Sequence, residues 1–88
     1  MSRSTCGIMS DILETVKSEE NCKKTTIIRL ANLDWDMTGR YLNYLLDNSY
    51  LETYDEGSKG KDSYRITEEG EELLRSMKIV KNICEKVE

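Results

Sequence analysis

The spacing of apolar residues predicts an amphipathic helix at the start of the chain, over residues 4–20. Its apolar face consists of Ile8, Ile12, Leu13 and Val16. The positions that point away include Asp11, Glu14 and Lys17. Residues that recur at this spacing lie on one side of a helix, so we expect that side to be buried. The polar segment SEENCKK then interrupts the pattern.

A short apolar segment, TTIIRLA at residues 25–31, fits either a helix or a strand. Its β-branched residues favour a strand. The link that follows, residues 32–34, is short, which favours two helices in succession. We therefore expect a helix, with Thr25 or Thr26 as its N-terminal cap.

A third helix is predicted over residues 34–48. Asp34 suits its N-cap, and Asn48 suits the left-handed position that follows a last turn. The continuous apolar face comprises Trp35, Thr38, Tyr41, Leu42, Leu45 and Leu46. The opposite face carries Asp36, Met37, Gly39, Arg40, Asn43, Tyr44 and Asp47. On this pattern we expect Trp35 in the core or against another domain, rather than stacked on a base.

Two β-prone segments follow, at residues 50–54 and 63–66, and the loop DEGSKGKD separates them. They predict an antiparallel hairpin with a long loop. Thr67 then suits the cap of a final helix that runs from Glu68 to about Val87. Acidic residues crowd the first turns of this helix and lysines come later, as the helix dipole favours.

The final helix has the most regular apolar spacing in the chain. One stripe consists of Leu73, Met77, Val80, Cys84 and Val87. Its steps of four, three, four and three residues are those of a coiled-coil seam. A second stripe contains Leu74, Ile79 and Ile83. Because a small domain has little surface to cover both stripes, we predict a homodimer through the seam. Burial of both stripes in one chain is the alternative.

The composition limits the chemistry that the chain can perform. Its 88 residues suffice for one domain, and histidine is absent. Without histidine, a glycine-rich phosphate loop or a spaced cysteine set, we expect no enzyme, no metal, no other cofactor and no small-molecule substrate. No apolar run approaches the roughly 18 residues of a membrane span, and the N-terminus does not resemble a signal peptide. We therefore expect a cytoplasmic protein that does not contact membranes.

The three cysteines, Cys6, Cys22 and Cys84, are far apart in the sequence. Their odd number and spacing argue against a zinc site and against an internal disulfide framework. Buried or idle thiols are the simplest interpretation. An intersubunit disulfide is the alternative, should the source be a hyperthermophilic archaeon or its virus.

Helix, helix, helix, strand, strand, helix is the order of an α+β winged helix-turn-helix fold. Three motifs stand at the expected places: Ala31-Asn32-Leu33, Tyr41-Leu42 with Leu45, and Ile66-Thr67-Glu68-Glu69-Gly70. With these motifs the chain resembles the archaeal winged-helix family of predicted transcriptional regulators and small dimeric DNA-binding proteins, which also occurs in archaeal viruses. The resemblance implies a DNA-binding core at residues 4–66 and a dimerisation helix at residues 67–88. The final helix is shorter than the coiled-coil rod of some members, and the third helix carries few basic residues.

Charge is the main objection to DNA binding. The chain has 13 basic and 17 acidic residues, a net charge of −4, and DNA repels acidic surfaces. The distribution is uneven, however, because residues 1–33 contain five basic and four acidic residues. A local basic patch can therefore still decide contact. Asp36, on the exposed face of the third helix, would repel phosphate unless it accepts a hydrogen bond from cytosine.

The candidate DNA-binding surface centres on the third helix. Arg40 and Asn43 can each form paired hydrogen bonds with a base edge, and Gly39 would allow close approach to the groove. The other candidates are Thr38, Tyr44, Lys23, Lys24, Arg29, Lys59 and Lys61. Lysines beside the second helix and on the hairpin loop suit phosphate contacts. The alternatives are that Arg40 pairs with Asp36 or Asp47, and that the loop lysines are merely solvated.

The sequence therefore predicts a sequence-specific, double-stranded-DNA-binding transcriptional regulator that acts as a homodimer. Its third helix would enter the major groove, while the hairpin would contact the flanking backbone or minor groove. Two alternatives are a winged helix that binds another protein and an architectural protein that binds DNA without sequence preference.

Overall fold

A computed structural model of the protein describes residues 4–54 and 63–87, and within the last helix it describes the side chains up to residue 84. The elements are α1 (Thr5–Ser18), α2 (Lys24–Ala31), α3 (Trp35–Asp47), β1 (Leu51–Tyr54), β2 (Ser63–Ile66) and α4 (Glu68–Val87). The predicted types and order are confirmed, and they form the α+β winged helix-turn-helix fold. The segment TTIIRLA is helical, so the competing strand interpretation was wrong.

The start of α2 differs from the prediction. The helix begins at Lys24, its N-cap is Lys23, and no side chain caps it, so the predicted threonine cap was wrong. The cause is a contact distant in sequence: the Tyr64 amide donates a 2.7 Å hydrogen bond to the Cys22 carbonyl, forming an isolated bridge beside the hairpin. Lys23, directly after this bridge, is therefore still extended, and the helix begins at the next residue, Lys24.

The corner between α2 and α3 is a helix-turn-helix. Asn32 takes the left-handed conformation, with φ of 56°. Asparagine tolerates this region better than most residues. Asp34 then caps α3, because its Oδ1 accepts a 2.7 Å hydrogen bond from the Met37 amide. The short link thus reverses the chain and starts the next helix within three residues.

The end of α3 departs from the prediction by one residue. Asn48 has φ of −99°, so it is not the left-handed residue, and Ser49 takes that conformation with φ of 64°. The Asn48 side chain donates a 2.8 Å hydrogen bond to the Tyr44 carbonyl instead. The same carbonyl also accepts a 3.1 Å hydrogen bond from the Asn48 amide, so Asn48 still follows the helical bonding pattern and the chain reverses at Ser49.

The apolar face of α1 lies at the centre of the core. Ile12 and Leu13 are fully buried, as the spacing predicted. They belong to one apolar cluster with buried residues from the other elements: Ile27, Leu42, Leu45, Leu51 and Leu74. An ion pair of 2.6 Å between Lys78 and Glu14 also joins α4 to α1.

The hairpin and the start of α4 are joined at one crossing point. Leu51 pairs with Ile66 in the antiparallel ladder, and the Thr67 amide donates to the Tyr50 carbonyl at 3.2 Å. The Thr67 hydroxyl accepts from the Gly70 amide at 3.0 Å, which confirms the predicted cap. Gly70 lies so close to the Tyr50 backbone that no β-carbon fits between them.

We expected one apolar stripe of α4 to face the core of its own domain and the other to face a partner. In the structure burial instead changes along the length of the helix. Leu74 is buried, and Leu73 and Met77 are partly buried against the same core. Farther along, the side chains of Ile79, Val80 and Ile83 are 60%, 57% and 58% exposed. The first half of α4 therefore packs on its own domain and the second half projects from it. The alternative of burying both stripes in one chain was wrong.

The cysteines differ in environment, and none is bonded to another within the chain. Cys6 and Cys84 are exposed, whereas Cys22 is fully buried. Burial, and secondarily the charge of Glu19, raises the pKa of the Cys22 thiol from 9.0 to about 11. Its thiol consequently stays protonated in the folded protein at neutral and mildly alkaline pH.

We expect two thiols to react rapidly with an aromatic disulfide reagent at pH 8, and Cys22 to react only after unfolding. The thiolate is the reactive form, and both burial and the raised pKa of Cys22 suppress it. Counting released chromophore with and without denaturant tests this expectation, and Cys22→Ala serves as the control that lacks the slow phase. Equal rates for all three thiols would contradict the described burial.

Candidate nucleic-acid interface

The exposed face of α3 lies opposite the side that enters the core. Leu42 and Leu45 fix the orientation of the helix, because both are buried. Arg40 and Asn43 are consequently exposed, and so is Tyr44, whose side chain is 52% exposed. Three predicted site residues thus share one open surface that holds a cation, an amide and a phenol.

Thr38 is not part of this surface, which corrects its predicted place in the site. Its side chain is fully buried. Its hydroxyl donates a 2.7 Å hydrogen bond to the Asp34 carbonyl, one turn earlier. Thr38 therefore faces the core and cannot touch a ligand bound across the open face of α3.

Arg40 has a free guanidinium within the described part of the chain. Neither Asp36 nor Asp47 forms an ion pair with it there, contrary to the alternative interpretation. Beside it lies an open groove of about 520 Å³ between α3 and the start of α1. The groove is lined by Thr5, Met9, Met37, Arg40, Tyr41 and Tyr44. The guanidinium is therefore available for a ligand, although Asp36 remains exposed on the same helix.

The cations of α2 have separate surroundings. Lys23 donates a 3.0 Å hydrogen bond to the Ser63 hydroxyl of β2, so it links the helix-turn-helix to the hairpin. Lys24 lies with its ammonium 3.7 Å from the centroid of the Trp35 ring. Arg29 is exposed in the last turn of α2. The structure thus brings Lys24 to α3 and leaves Arg29 at the other end of α2.

Trp35 is 59% exposed, so it does not enter the core of this domain, and of its two predicted places only contact with another domain remains a prediction. It is the first residue of α3, at the corner where the start of α2 is its neighbour. The Lys24 ammonium rather than an apolar surface covers its ring. Gly39, one turn later, lies beside the same ammonium: a β-carbon there would be 3.1 Å from the Lys24 Nζ.

The strands of the hairpin are described, but its loop is not. The predicted contacts of Lys59 and Lys61 lie outside the described residues. On the strands, Arg65 forms a 2.7 Å ion pair with Glu52 across the ladder and lies 4.8 Å from the Tyr54 ring. The charge of Arg65 is thereby matched by a carboxylate, so this residue adds little to a basic surface.

Metal binding and membrane crossing each require side chains or helices of a particular kind. Residues 4–54 and 63–87 contain no group of three or more histidine, cysteine, aspartate or glutamate side chains that could hold a metal ion. Over the same ranges, no helix has both the length and the apolar character needed to cross a membrane.

Comparison with known sequences gives a family and two archaeal relatives. The winged helix-turn-helix family profile matches residues 2–85. An uncharacterized protein of Methanocaldococcus jannaschii is 40% identical over 73 residues, or 83% of this chain. A second uncharacterized protein of that organism is 32% identical over 75 residues, or 85% of this chain. The match spans 31% of the length of the first relative and 70% of the second.

Comparison with solved structures gives the same fold. Sso10a-2, a DNA-binding protein from Sulfolobus solfataricus, matches with a TM-score of 0.84 and 29% identity, over 97% of this chain and 85% of that one. The PcaV transcriptional regulator from Streptomyces coelicolor matches with a TM-score of 0.82 and 17% identity, over 91% and 60%. SSV1 F-93 matches with a TM-score of 0.65 and 14% identity, over 99% and 96%. The last two likenesses concern the fold alone.

These matches confirm the resemblance that the three motifs indicated. They also agree with the expectation of a DNA-binding fold rather than an enzyme, because the family is defined by a DNA-binding architecture and not by catalytic residues. With the profile covering nearly the whole chain, the protein belongs to the winged helix-turn-helix family.

Proposed function

We propose that the protein is a transcriptional regulator that binds double-stranded DNA in a sequence-specific manner. The observation that carries this proposal is the open face of α3, where the free Arg40 guanidinium lies with Asn43 and Tyr44. In a helix-turn-helix protein the second helix of the motif enters the major groove, and here that helix is α3. Arginine can bind guanine and asparagine can bind adenine through paired hydrogen bonds.

Binding at this surface depends on its cations, because Asp36 and Asp47 are exposed on α3 itself and belong to the 17 acidic residues that give the chain its net charge of −4. Four of these acidic residues are in the first turns of α4, which follows the hairpin in the sequence: Glu68, Glu69, Glu71 and Glu72. Lys23, Lys24 and Arg29 on α2 supply phosphate contacts, and Lys59 and Lys61 in the hairpin loop supply more. The protein would act inside the cell, where its DNA target lies.

The second half of α4 supports a homodimer. Ile79, Val80 and Ile83 form an exposed apolar surface, with Cys84 beside them. Such a surface is costly to leave in water, and a two-fold pairing of identical helices covers it on both chains. The paired domains would place their α3 helices in successive major grooves about 34 Å apart, on a palindromic or nearly palindromic target. Two Cys84 side chains would form a disulfide only if the two-fold axis passes close to them.

One observation favours a second candidate function. The same exposed apolar half of α4, on an acidic domain, also suits binding to another protein. A protein-binding module would not need the face of α3 that carries Arg40. Replacing Arg40 should therefore weaken DNA binding but leave protein binding through α4 unchanged.

Arg40→Ala is expected to weaken binding to the preferred DNA sequence by about 1–3 kcal/mol and to relax base preference. The reason is that the guanidinium would make base contacts that alanine cannot replace. Lys59→Ala is the matched comparison: loss of a phosphate contact weakens binding to all sequences about equally and lowers the salt dependence. Affinities for a selected sequence and for single-base variants, measured by fluorescence anisotropy, give both quantities. An Arg40→Ala protein with unchanged base preference would refute the assigned reading face.

A further inference from the structure

The corner between α2 and α3 contains a cation held over an exposed aromatic ring. The Lys24 ammonium lies 3.7 Å from the centroid of Trp35, which is well within the distance at which such contacts are attractive. Trp35 makes this contact although it is 59% exposed and does not belong to the apolar core. Tryptophan in the first turn of α3 therefore has a local partner rather than a role in packing the domain.

The Lys24 ammonium is not neutralised by a carboxylate in the part of the chain that the structure describes. The ion pairs of the described residues join Arg65 with Glu52 and Lys78 with Glu14, and neither includes Lys24. An aromatic ring orients a lysine without cancelling its charge, whereas a carboxylate would do both. The contact thus fixes where the positive charge is, while leaving that charge available to an anion.

Gly39 provides the space that this arrangement needs. A β-carbon at Gly39 would lie 3.1 Å from the Lys24 Nζ, closer than most such contacts, and the ammonium would have to shift by a few tenths of an ångström. Three residues from two helices, Lys24, Trp35 and Gly39, consequently place one charge against the first turns of α3. By the spacing of a helix, Trp35 and Gly39 lie next to the face of α3 that carries Arg40 and Asn43.

We infer that Trp35 is a positioning residue, which holds the Lys24 ammonium in place to bind a DNA phosphate beside the major groove. This inference rests on the proposed function, since it assigns a role within the same interface. A free lysine loses side-chain freedom when it binds a phosphate, and a lysine that is already held over a ring loses less. Trp35 therefore contributes to DNA affinity only by holding the Lys24 ammonium, so its contribution is lost when Lys24 is replaced.

A double-mutant cycle on DNA binding tests this dependence. The variants are Lys24→Met, which keeps the apolar stem and removes the charge, Trp35→Leu, and the pair together. We expect Lys24→Met to weaken binding about tenfold at low salt and to lower the salt slope by about one. Trp35→Leu should weaken DNA binding about two- to fivefold. Trp35→Phe keeps an aromatic ring and should weaken DNA binding less than Trp35→Leu does. The double variant should bind as Lys24→Met does.

The outcomes separate the inference from the function on which it rests. If Trp35→Leu weakens binding equally with and without Lys24, Trp35 contacts DNA by itself and the positioning role is wrong. If Trp35→Leu has no effect, the role is also wrong, while DNA binding by the parent protein would still support the proposed function. If the parent protein binds no DNA even at low salt, the proposed function fails and the phosphate role fails with it.

The emission of Trp35 provides a second measurement that does not need DNA. Trp35 is the single tryptophan of the chain, so fluorescence reports this site alone. Lys24→Met should change the emission of the free protein, because the charge over the ring is lost, and thermal unfolding should show that the variant is folded. Lys17→Met, at an exposed position of α1, should leave the emission unchanged. Identical emission from the parent and Lys24→Met would mean that the ammonium does not lie over the ring in solution.

Discussion

Replacing Gly70 with alanine is expected to destabilise the protein by roughly 2–3 kcal/mol or more, although alanine favours helices. The added β-carbon would lie 2.0 Å from the Tyr50 carbonyl oxygen and 2.8 Å from the Ile66 Cγ1. The first of these atoms is backbone, so it cannot move aside without disturbing the hairpin. The expected relief is a shift of α4 away from β1 and β2, which loosens the burial of Leu74.

Urea unfolding followed by circular dichroism measures this effect, and Gly39→Ala is the matched control. Gly39 is also helical, but a β-carbon there meets the end of the flexible Lys24 side chain rather than backbone. We expect Gly39→Ala to stabilise the protein by up to about 1 kcal/mol, because alanine replaces glycine inside a helix. A Gly70→Ala protein as stable as the parent would mean that α4 does not cross the chain at Tyr50 as described.

Replacing Val80 with lysine is expected to convert the proposed dimer to a monomer and to weaken DNA binding by about a hundredfold or more. Val80 is exposed on α4 together with Ile79 and Ile83 and belongs to the predicted coiled-coil seam, so the substitution places a charge within the proposed contact. An unpaired charge is costly to bury, and two copies would meet there by symmetry. A monomer loses the second half-site and with it the gain from binding two sites at once.

Light scattering coupled to size-exclusion chromatography gives the mass, and anisotropy gives the affinity. Asn82→Lys is the control, because it adds the same charge at an exposed position of α4 that lines a cleft with Ser10 and Glu14 of α1. We expect that control to keep the mass and the affinity of the parent. An unchanged mass for Val80→Lys would exclude this surface as the interface.

The order and type of the elements followed from local patterns, because those patterns are what the packing uses. The apolar spacing in residues 4–20 reflects burial of Ile12 and Leu13, and Asp34 and Thr67 cap their helices as expected. The motif that ends in Gly70 has a physical explanation in the crossing of α4 over the Tyr50 backbone. This part of the fold could therefore be predicted from neighbouring residues alone.

The errors arose where distant segments decide the local structure. The start of α2 depends on the bridge between Cys22 and Tyr64, which are far apart in the sequence. The environment of Trp35 depends on Lys24, which reaches α3 only because of the angle of the helix-turn-helix corner. The residues next to Trp35 in the sequence do not indicate whether its ring is buried in the core or covered by a lysine from another helix.

The candidate site was predicted less completely than the fold. Exposure of Arg40, Asn43 and Tyr44 followed from helical periodicity, since the apolar residues of α3 define the opposite side. Thr38 was misplaced because a small hydroxyl side chain can be buried once its oxygen donates to a carbonyl of the preceding turn. The contact of Lys24 with Trp35 was missed because the two residues are on different helices.

The most direct test of the central claim is binding of the parent protein to labelled duplex fragments of the source genome, at two salt concentrations and with unlabelled competitor DNA. We expect saturable binding to a subset of fragments that resists competitor and falls with salt with a slope of several. Binding that competitor removes completely would instead show an architectural role without sequence preference. No binding at the lower salt concentration would contradict the assignment of the α3 face to DNA.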